Sequence, residues 1–133
     1  METTPLIHAY YDAFNRTDFG AMVDLLGDDI MHDANQGARN HGKDWFRGFL
    51  AHMDHCYSEQ VRELVVFASA DGQRAAAEFI IEGIYQNSDA GLPAARGQKY
   101  RLPVGAFFDV REGLIRRVTN YYNLQDWIAQ VSR

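Results

Sequence analysis

The first half of the chain alternates polar and apolar positions with the period of an α-helix. Pro5 after Thr4 predicts a helix start, because proline is favoured at the first helical position. The polar segment Asn15 to Asp18 breaks this helix, and Gly27 ends the next one. Three helices are predicted, the third over Lys43 to Cys56. Their apolar faces hold Leu6, Ile7, Tyr10 and Phe14, then Met22, Val23, Leu25 and Leu26, then Trp45, Phe46, Phe49, Leu50 and Met53.

After the third helix the apolar residues recur with a period of two, which is typical of half-buried strands. In the first such segment Val61, Val65 and Phe67 are expected to share a face. The polar segment Gln36 to Gly42 is predicted to be a loop. The predicted strands cover Ile30 to Asn35, about Val61 to Phe67, Arg74 to Asn87, Tyr100 to Val110 and Leu114 to Asn123.

Three helices followed by a mainly antiparallel set of strands indicate an α+β fold. With 133 residues the chain can form one core but not two, so residues 1–133 are predicted to be a single domain. Apolar residues occur on both faces of the strands, as where Ile80 and Ile84 lie beside Glu78 and Glu82. We therefore expect one sheet face to hold the helices and the other to form a homodimer.

Composition excludes several classes of function. A formal net charge of −5 argues against a nucleic-acid-binding surface. No segment approaches the roughly 20 apolar residues of a membrane span, and the N-terminus lacks the charged start and apolar run of a signal peptide. The single cysteine, Cys56, cannot form an internal disulfide and fits a reducing compartment. A cytoplasmic protein without membrane or nucleic-acid partners is expected.

Asp33 is the first candidate for chemistry. It follows Ile30 and Met31 in a short predicted strand, where burial would disfavour its charged form and raise its pKa. Tyr10, on the apolar face of the first helix, could direct its hydroxyl into the same cavity. A carboxylate and a phenol are sufficient for proton transfer next to a carbonyl group.

The order of elements and several short segments resemble the ketosteroid isomerase and SnoaL-like superfamily, which has the nuclear transport factor 2-like fold. The resemblance extends over nearly the whole chain and is strongest to the uncharacterised ketosteroid isomerase-related proteins. Its anchors are Asn15-Arg16-Thr17-Asp18, Asp28-Asp29, Asn35-Gln36-Gly37, His41-Gly42-Lys43, Gly113 and Asn120-Tyr121-Tyr122-Asn123-Leu124.

This resemblance implies a cone, in which a strongly curved antiparallel sheet and three N-terminal helices enclose a pocket, and a dimer formed through the outer sheet face. It places the tyrosine of the family at Tyr10 and its catalytic base at Asp33. The family's protonated aspartic acid falls near Val104, so one oxyanion donor is missing. Asn120 is the candidate for its replacement, and an amide whose hydrogen bonds are taken up by the backbone is the alternative, which the sequence leaves open.

The resemblance also predicts the pocket wall. Gly83 is expected to leave room for a ligand, and the wall is expected to be apolar and suited to a flat or hydrophobic molecule. The expected substrate-binding residues are Trp45, Phe79, Ile81, Tyr85, Val104, Phe108, Val118 and Tyr122.

The histidines suggest a metal site, but the sequence does not complete one. His52 and His55 have a spacing that can ligate zinc, and Cys56 follows, yet no acidic residue lies at a matched spacing. No metal and no cofactor are therefore expected. His32 is adjacent to Asp33, so strand geometry is expected to turn it to the outer face.

The sequence thus favours a metal-free isomerase, lyase or cyclase that moves a proton on a small apolar carbonyl compound. Asp33 would act as the base, with Tyr10 and Asn120 stabilising the oxyanion. The alternative is a non-catalytic ligand-binding or dimerisation module, because one fold hosts many functions.

Overall fold

The computed structural model describes residues 1–35 and 37–133; Gln36, which was predicted to begin a loop, lies outside the described residues. The helices are α1 (Thr3–Asn15), α2 (Phe19–Asp24), α3 (Lys43–Cys56) and α4 (Leu124–Val131). The strands are β1 (Leu26–Ala34), β2 (Arg39–His41), β3 (Tyr57–Ala68), β4 (Arg74–Tyr85), β5 (Gln98–Arg111) and β6 (Leu114–Tyr122).

The strands form one curved, unclosed sheet in the order β2-β1-β6-β5-β4-β3. All neighbouring strands are antiparallel except β1 and β6, which run parallel. A parallel pair needs a long connection, and here α3 and four strands of the same sheet lie between the two partners. The predicted α+β class is confirmed, and the sheet is mixed because of this one pair.

The helices cover the concave face of the sheet. α1 packs against β3 and β4, α3 packs against β1 and β3, and α4 packs against β5. The buried side chains form a single hydrophobic core, to which α1 contributes Leu6 and Ile7, both fully buried. This arrangement leaves the concave face enclosed and the convex face outward.

The second helix is shorter than predicted. The backbone nitrogen of Ile115 donates to the carbonyl oxygen of Leu25, and Leu26 pairs with Ile115 in the parallel ladder. Leu25 and Leu26 therefore leave the helix and lead into β1. The short strand β2 forms within the predicted loop, because Arg39, Asn40 and His41 pair with β1.

A β-bulge in β3 changes the face of the sheet to which its later side chains point. The register shifts between Arg62 and Val65, and Glu63 has a positive φ of 55°. Such a bulge inserts an extra residue and turns the following side chains to the opposite face. Val61 is buried, whereas Val65 and Phe67 are 48% and 57% exposed, so the predicted common face of these three residues is wrong.

No helix in residues 1–35 and 37–133 is both long enough and apolar enough to cross a membrane.

The convex face is the basis of the first prediction, a homodimer in solution. Its exposed apolar side chains are Val65, Phe67, Ile84, Phe107 and Tyr121. Phe107 packs on Tyr121, with ring centroids 5.8 Å apart, and an exposed apolar patch around this pair favours association, because water is released when it is covered. Light scattering at micromolar concentration should give the mass of two chains.

A charge in the centre of this patch should weaken the dimer. We expect Phe107→Glu to scatter as a monomer while keeping its circular dichroism spectrum, because an unpaired charge would be buried between the sheets. Ala51→Glu adds the same charge to the exposed side of α3 and should remain dimeric. A monomeric unmodified protein would contradict the prediction.

Candidate active site

A cavity of about 350 Å³ lies between the helices and the concave face of the sheet. Its wall is mainly apolar, with aromatic and aliphatic residues from α1, α3 and the central strands. Polar groups reach it from several strands and from the loop of residues 86–97. The polar and titratable residues of the wall are Tyr10, Tyr11, His32, His52, Tyr57, Glu59, Asp89, Asn120 and Tyr122.

The structure brings six of the predicted site residues into this wall. Tyr10 reaches it from α1, where burial raises the pKa of its hydroxyl. Asn120 reaches it from β6. The other four are Phe79, Ile81, Val104 and Tyr122.

Four predicted pocket residues lie behind the wall instead. The hydroxyl of Tyr85 is fully used, since it donates to the carbonyl oxygen of Pro93 and accepts from the backbone nitrogen of Asp89. Phe108 packs beneath the rings of α1. Val118 is buried in the core, and Trp45 stacks on an aromatic neighbour of α3. These residues support the cavity without lining it.

Asp33 lies on the convex face, outside the cavity. Arg39 donates two hydrogen bonds to its carboxylate, at 2.8 and 2.9 Å, and the Thr119 hydroxyl donates a third at 2.7 Å. The Arg39 hydrogen bonds, with help from Thr119, outweigh the effect of partial burial and hold the pKa of Asp33 at about 2. The expectation of a buried base with a raised pKa is therefore wrong.

His32 occupies the inward position that was expected for Asp33. Its ring is 1% exposed and packs against Trp45, Phe46 and Phe49, with ring centroids 4.5–5.3 Å away. The predicted outer-face position is wrong, because Ile30 is a buried anchor two residues earlier and alternation puts both side chains on one face.

Burial lowers the pKa of His32 to about 4, so the imidazole is neutral near pH 7. Its Nε2 is 3.5 Å from the amide nitrogen of Asn120, which is a long contact. Its Nδ1 is a buried polar atom that has no hydrogen-bond partner in the described part of the chain.

Glu59 is one of two carboxyl groups in the cavity wall; the other is Asp89. Glu59 projects from β3 between Tyr57 and Val61, which share the inward face. The Tyr100 hydroxyl donates to its Oε2 at 2.5 Å. Burial raises the pKa of Glu59, and the Tyr100 hydrogen bond only partly opposes this effect. A carboxyl with a raised pKa in an apolar cavity is suited to proton transfer.

Gly83 makes this pair possible. A Cβ atom at Gly83 would lie 2.2 Å from Cζ of Tyr100, which is inside the van der Waals contact distance. The Tyr100 ring therefore fills the space that was expected to admit a ligand, and its hydroxyl reaches Glu59.

A second cluster of polar side chains lies where the end of α3 meets the loop of residues 86–97. His52 Nε2 is 2.9 Å from Oδ1 of Asp89, and the Tyr57 hydroxyl donates to Oδ2 at 2.7 Å. Burial alone would raise the pKa of Asp89, but the hydrogen bonds from Tyr57 and His52 lower it by more. Cys56 Sγ is 3.9 Å from His52 Nε2, and burial raises the pKa of this thiol, which makes it a poor nucleophile.

Sequence reasoning missed Glu59, Tyr100 and Asp89. The signal for Glu59 was present, because alternation from Tyr57 through Glu59 to Val61 puts the carboxyl on an apolar face. Asp89 carried no such signal, since it lies in a loop and its partners are 32 and 37 residues away.

Comparison with known proteins identifies relatives of this chain. The model of the SnoaL-like domain family matches residues 7–118. Two solved structures titled "putative polyketide cyclase" are similar over almost the whole chain. The one from Pseudomonas putida has 53% identity and a TM-score of 0.97, covering 98% of each chain. The one from Xanthomonas campestris has 55% identity and a TM-score of 0.94, covering 97% of this chain and 96% of that chain.

A more distant structure shows the fold alone. A hypothetical protein from Catenulispora acidiphila with a ketosteroid isomerase-like fold has 21% identity and a TM-score of 0.70, covering 96% of this chain and 92% of that chain. A search of curated protein sequences found no significant match.

Asp33 is the subject of the second prediction, which concerns stability. We expect Asp33→Asn to lower the free energy of unfolding by about 1–2 kcal/mol at pH 7, because the amide cannot accept the charged hydrogen bonds. The folded-state pKa of about 2 lies below the unfolded value of 3.8. The contribution of the carboxylate is therefore complete above about pH 4 and is lost as the pH falls toward 2.

Urea unfolding at several pH values measures this effect. The difference between the two proteins should shrink as the pH falls from 4 toward 2. Asp54→Asn, at an exposed position of α3, is the control and should leave stability unchanged. Equal stability of the two variants at pH 7 would be evidence against the role given to Asp33.

Gly83 is the subject of the third prediction. Gly83→Ala should destabilise the protein by about 1–3 kcal/mol, because the added methyl group overlaps the ring of Tyr100. Gly105→Ala is the matched control in the neighbouring strand, where no atom lies within 4 Å of the added Cβ. Thermal unfolding that gives both variants the same melting temperature would contradict the close packing described above.

Proposed function

Because this chain belongs to the SnoaL-like domain family, we propose that it is a small-molecule enzyme of the cyclase or isomerase kind. The observation that carries the proposal is Glu59, a carboxyl group with a raised pKa in the wall of a mainly apolar cavity. A volume of about 350 Å³ is near the lower end of ligand pockets, so the substrate is a small molecule.

Glu59 replaces Asp33 as the proposed base. Tyr100 engages one carboxylate oxygen, Oε2, and fixes the orientation of the group. The second oxygen, Oε1, takes a proton from a carbon next to a substrate carbonyl, and the electron pair of that C–H bond forms an enolate. A carboxylate in an apolar setting is a stronger base than one in water, because its charge is poorly solvated.

Tyr10 and Asn120 are the proposed donors to the enolate oxygen. Both lie in the cavity wall, and the Asn120 amide has only the long 3.5 Å contact to His32. An amide with so weak a partner is available to a ligand. Each donor of this kind contributes roughly 10²–10³ to the rate when it is placed at the developing oxyanion.

The proton then leaves Glu59 by one of two routes. In an isomerisation it returns to a different carbon of the enolate. In a cyclisation the enolate carbon forms a bond to a second carbonyl carbon of the same molecule, and the new alkoxide takes the proton. The names of the Pseudomonas and Xanthomonas relatives favour a substrate with several carbonyl groups.

A test of proton removal needs no knowledge of the product. The fourth prediction is that the protein catalyses exchange of α-protons for deuterium in small apolar 1,3-diketones, followed by proton NMR in D₂O. Glu59→Gln should slow this exchange by about 10²–10⁴, the contribution of a general base. The rate of the unmodified protein should rise with pH through the raised pKa of Glu59.

Two further measurements make the result decisive. Glu78→Gln, at an exposed position of β4, should exchange at the unmodified rate. Glu59→Gln should not lose stability at pH 7, because a raised folded-state pKa means that the ionised carboxylate opposes folding above about pH 4.5. If diketones bind and quench tryptophan fluorescence but neither the unmodified protein nor Glu59→Gln accelerates exchange, the chain is a ligand-binding module instead; equal acceleration by both would exclude Glu59 as the base.

A further inference from the structure

The cluster at the end of α3 has a geometry that the proposed proton transfer does not use. His52 Nε2, Cys56 Sγ and a carboxylate oxygen of Asp89 all lie within 4.8 Å of one another. His52 and Cys56 are four residues apart on one helix and so share a face. Asp89 approaches from the loop of residues 86–97.

Two of the donor atoms approach the third. Oδ1 of Asp89 and Sγ of Cys56 both approach the same ring nitrogen of His52, at 2.9 and 3.9 Å. In a nucleophilic triad the carboxylate and the nucleophile contact opposite nitrogens of the imidazole. This arrangement therefore does not support a Cys–His–Asp relay, and it resembles the donor side of a metal site.

We propose that His52, Cys56 and Asp89 bind Zn²⁺ with one donor atom each and leave the fourth position open to the cavity. Imidazole, thiolate and carboxylate are the three donor types that zinc takes in proteins, at about 2.0–2.3 Å. Tetrahedral geometry at these bond lengths separates the donor atoms by about 3.3–3.6 Å. The two separations that involve His52, 2.9 and 3.9 Å, differ from this range by less than about 0.5 Å, and the Cys56 and Asp89 donor atoms lie within 4.8 Å of each other, so side-chain rotations can bring the three into place.

The surroundings hold Asp89 in place for this role. The backbone nitrogens of Gln86 and Asn87 donate to the carbonyl oxygen of Cys56, which ties the start of the loop to the end of α3. The Tyr57 hydroxyl donates to Oδ2 at 2.7 Å and leaves Oδ1 facing His52. Hydrogen bonds of this kind to a ligating carboxylate orient it toward the metal.

The open position faces the cavity, because both His52 and Asp89 contribute to its wall. A zinc ion there would polarise a carbonyl oxygen of the bound molecule. The sequence alone gave no metal site because it offered only His52, His55 and Cys56. The structure supplies Asp89 as the third ligand, from a loop more than thirty residues further along the chain.

Cobalt is the probe for this site, since Co²⁺ takes the place of Zn²⁺ and has visible absorption. We expect the chelator-treated, full-length protein to bind one equivalent of Co²⁺ with tetrahedral d–d bands and a thiolate-to-cobalt charge-transfer band. One equivalent of Zn²⁺ should abolish both. These signals report metal binding itself, so they are independent of any activity at Glu59.

Variants locate the metal. Cys56→Ser should remove the charge-transfer band, and Asp89→Asn should weaken binding by more than about 100-fold, while Tyr57→Phe should weaken it by about 10-fold. His55→Ala, next to Cys56 on the exposed side of α3, is the control and should bind as the unmodified protein does.

Circular dichroism confirms that each variant is folded before titration. A folded protein that shows no charge-transfer band with Co²⁺ would overturn the proposal. Retention of that band in Cys56→Ser, or its loss in His55→Ala, would overturn it equally.

Discussion

The register between β1 and β6 is the constraint on which the cavity depends. A network of polar side chains on the convex face fixes this register. Arg39 holds Asp33, the Thr119 hydroxyl bridges Asp33 and Arg117, and Arg117 makes a bidentate pair with Asp109. A one-residue slip of β1 would exchange its two faces and remove His32 from the cavity.

Burial then divides the titratable groups into two populations. On the convex face, arginine partners lower the carboxyl pKa values of Asp33 and Asp109. In the cavity wall, burial raises the pKa of Glu59, whereas the hydrogen bonds from Tyr57 and His52 keep the pKa of Asp89 low. The imidazole of His32 is neutral, because burial disfavours its charged form. The groups suited to proton transfer are therefore those on the inner face.

Local patterns in the sequence predicted the α+β class, and the family resemblance predicted the cone and part of the cavity wall. The bounds of α3 followed from its apolar face, and β4 to β6 followed from alternation. The local sequence could not predict which face of the sheet Asp33 points to. That face depends on where β1 begins, and the pairing of Leu26 with Ile115 sets the start of β1. The bulge at Glu63 and the approach of Asp89 to α3 are likewise consequences of tertiary contacts.

The parallel pairing of β1 with β6 has a consequence for how the chain acquires its cavity. Ala34 pairs with Asn120, so residues more than eighty positions apart in the chain are neighbours in the sheet. Contacts of such long range form late, because closing a long loop costs entropy before the pairing compensates for it. During synthesis the emerging chain contains α1 to β4 well before β6 is available. Until β6 is available, the inner face lacks the strand that carries Asn120 and Tyr122, so part of the cavity wall is open to water.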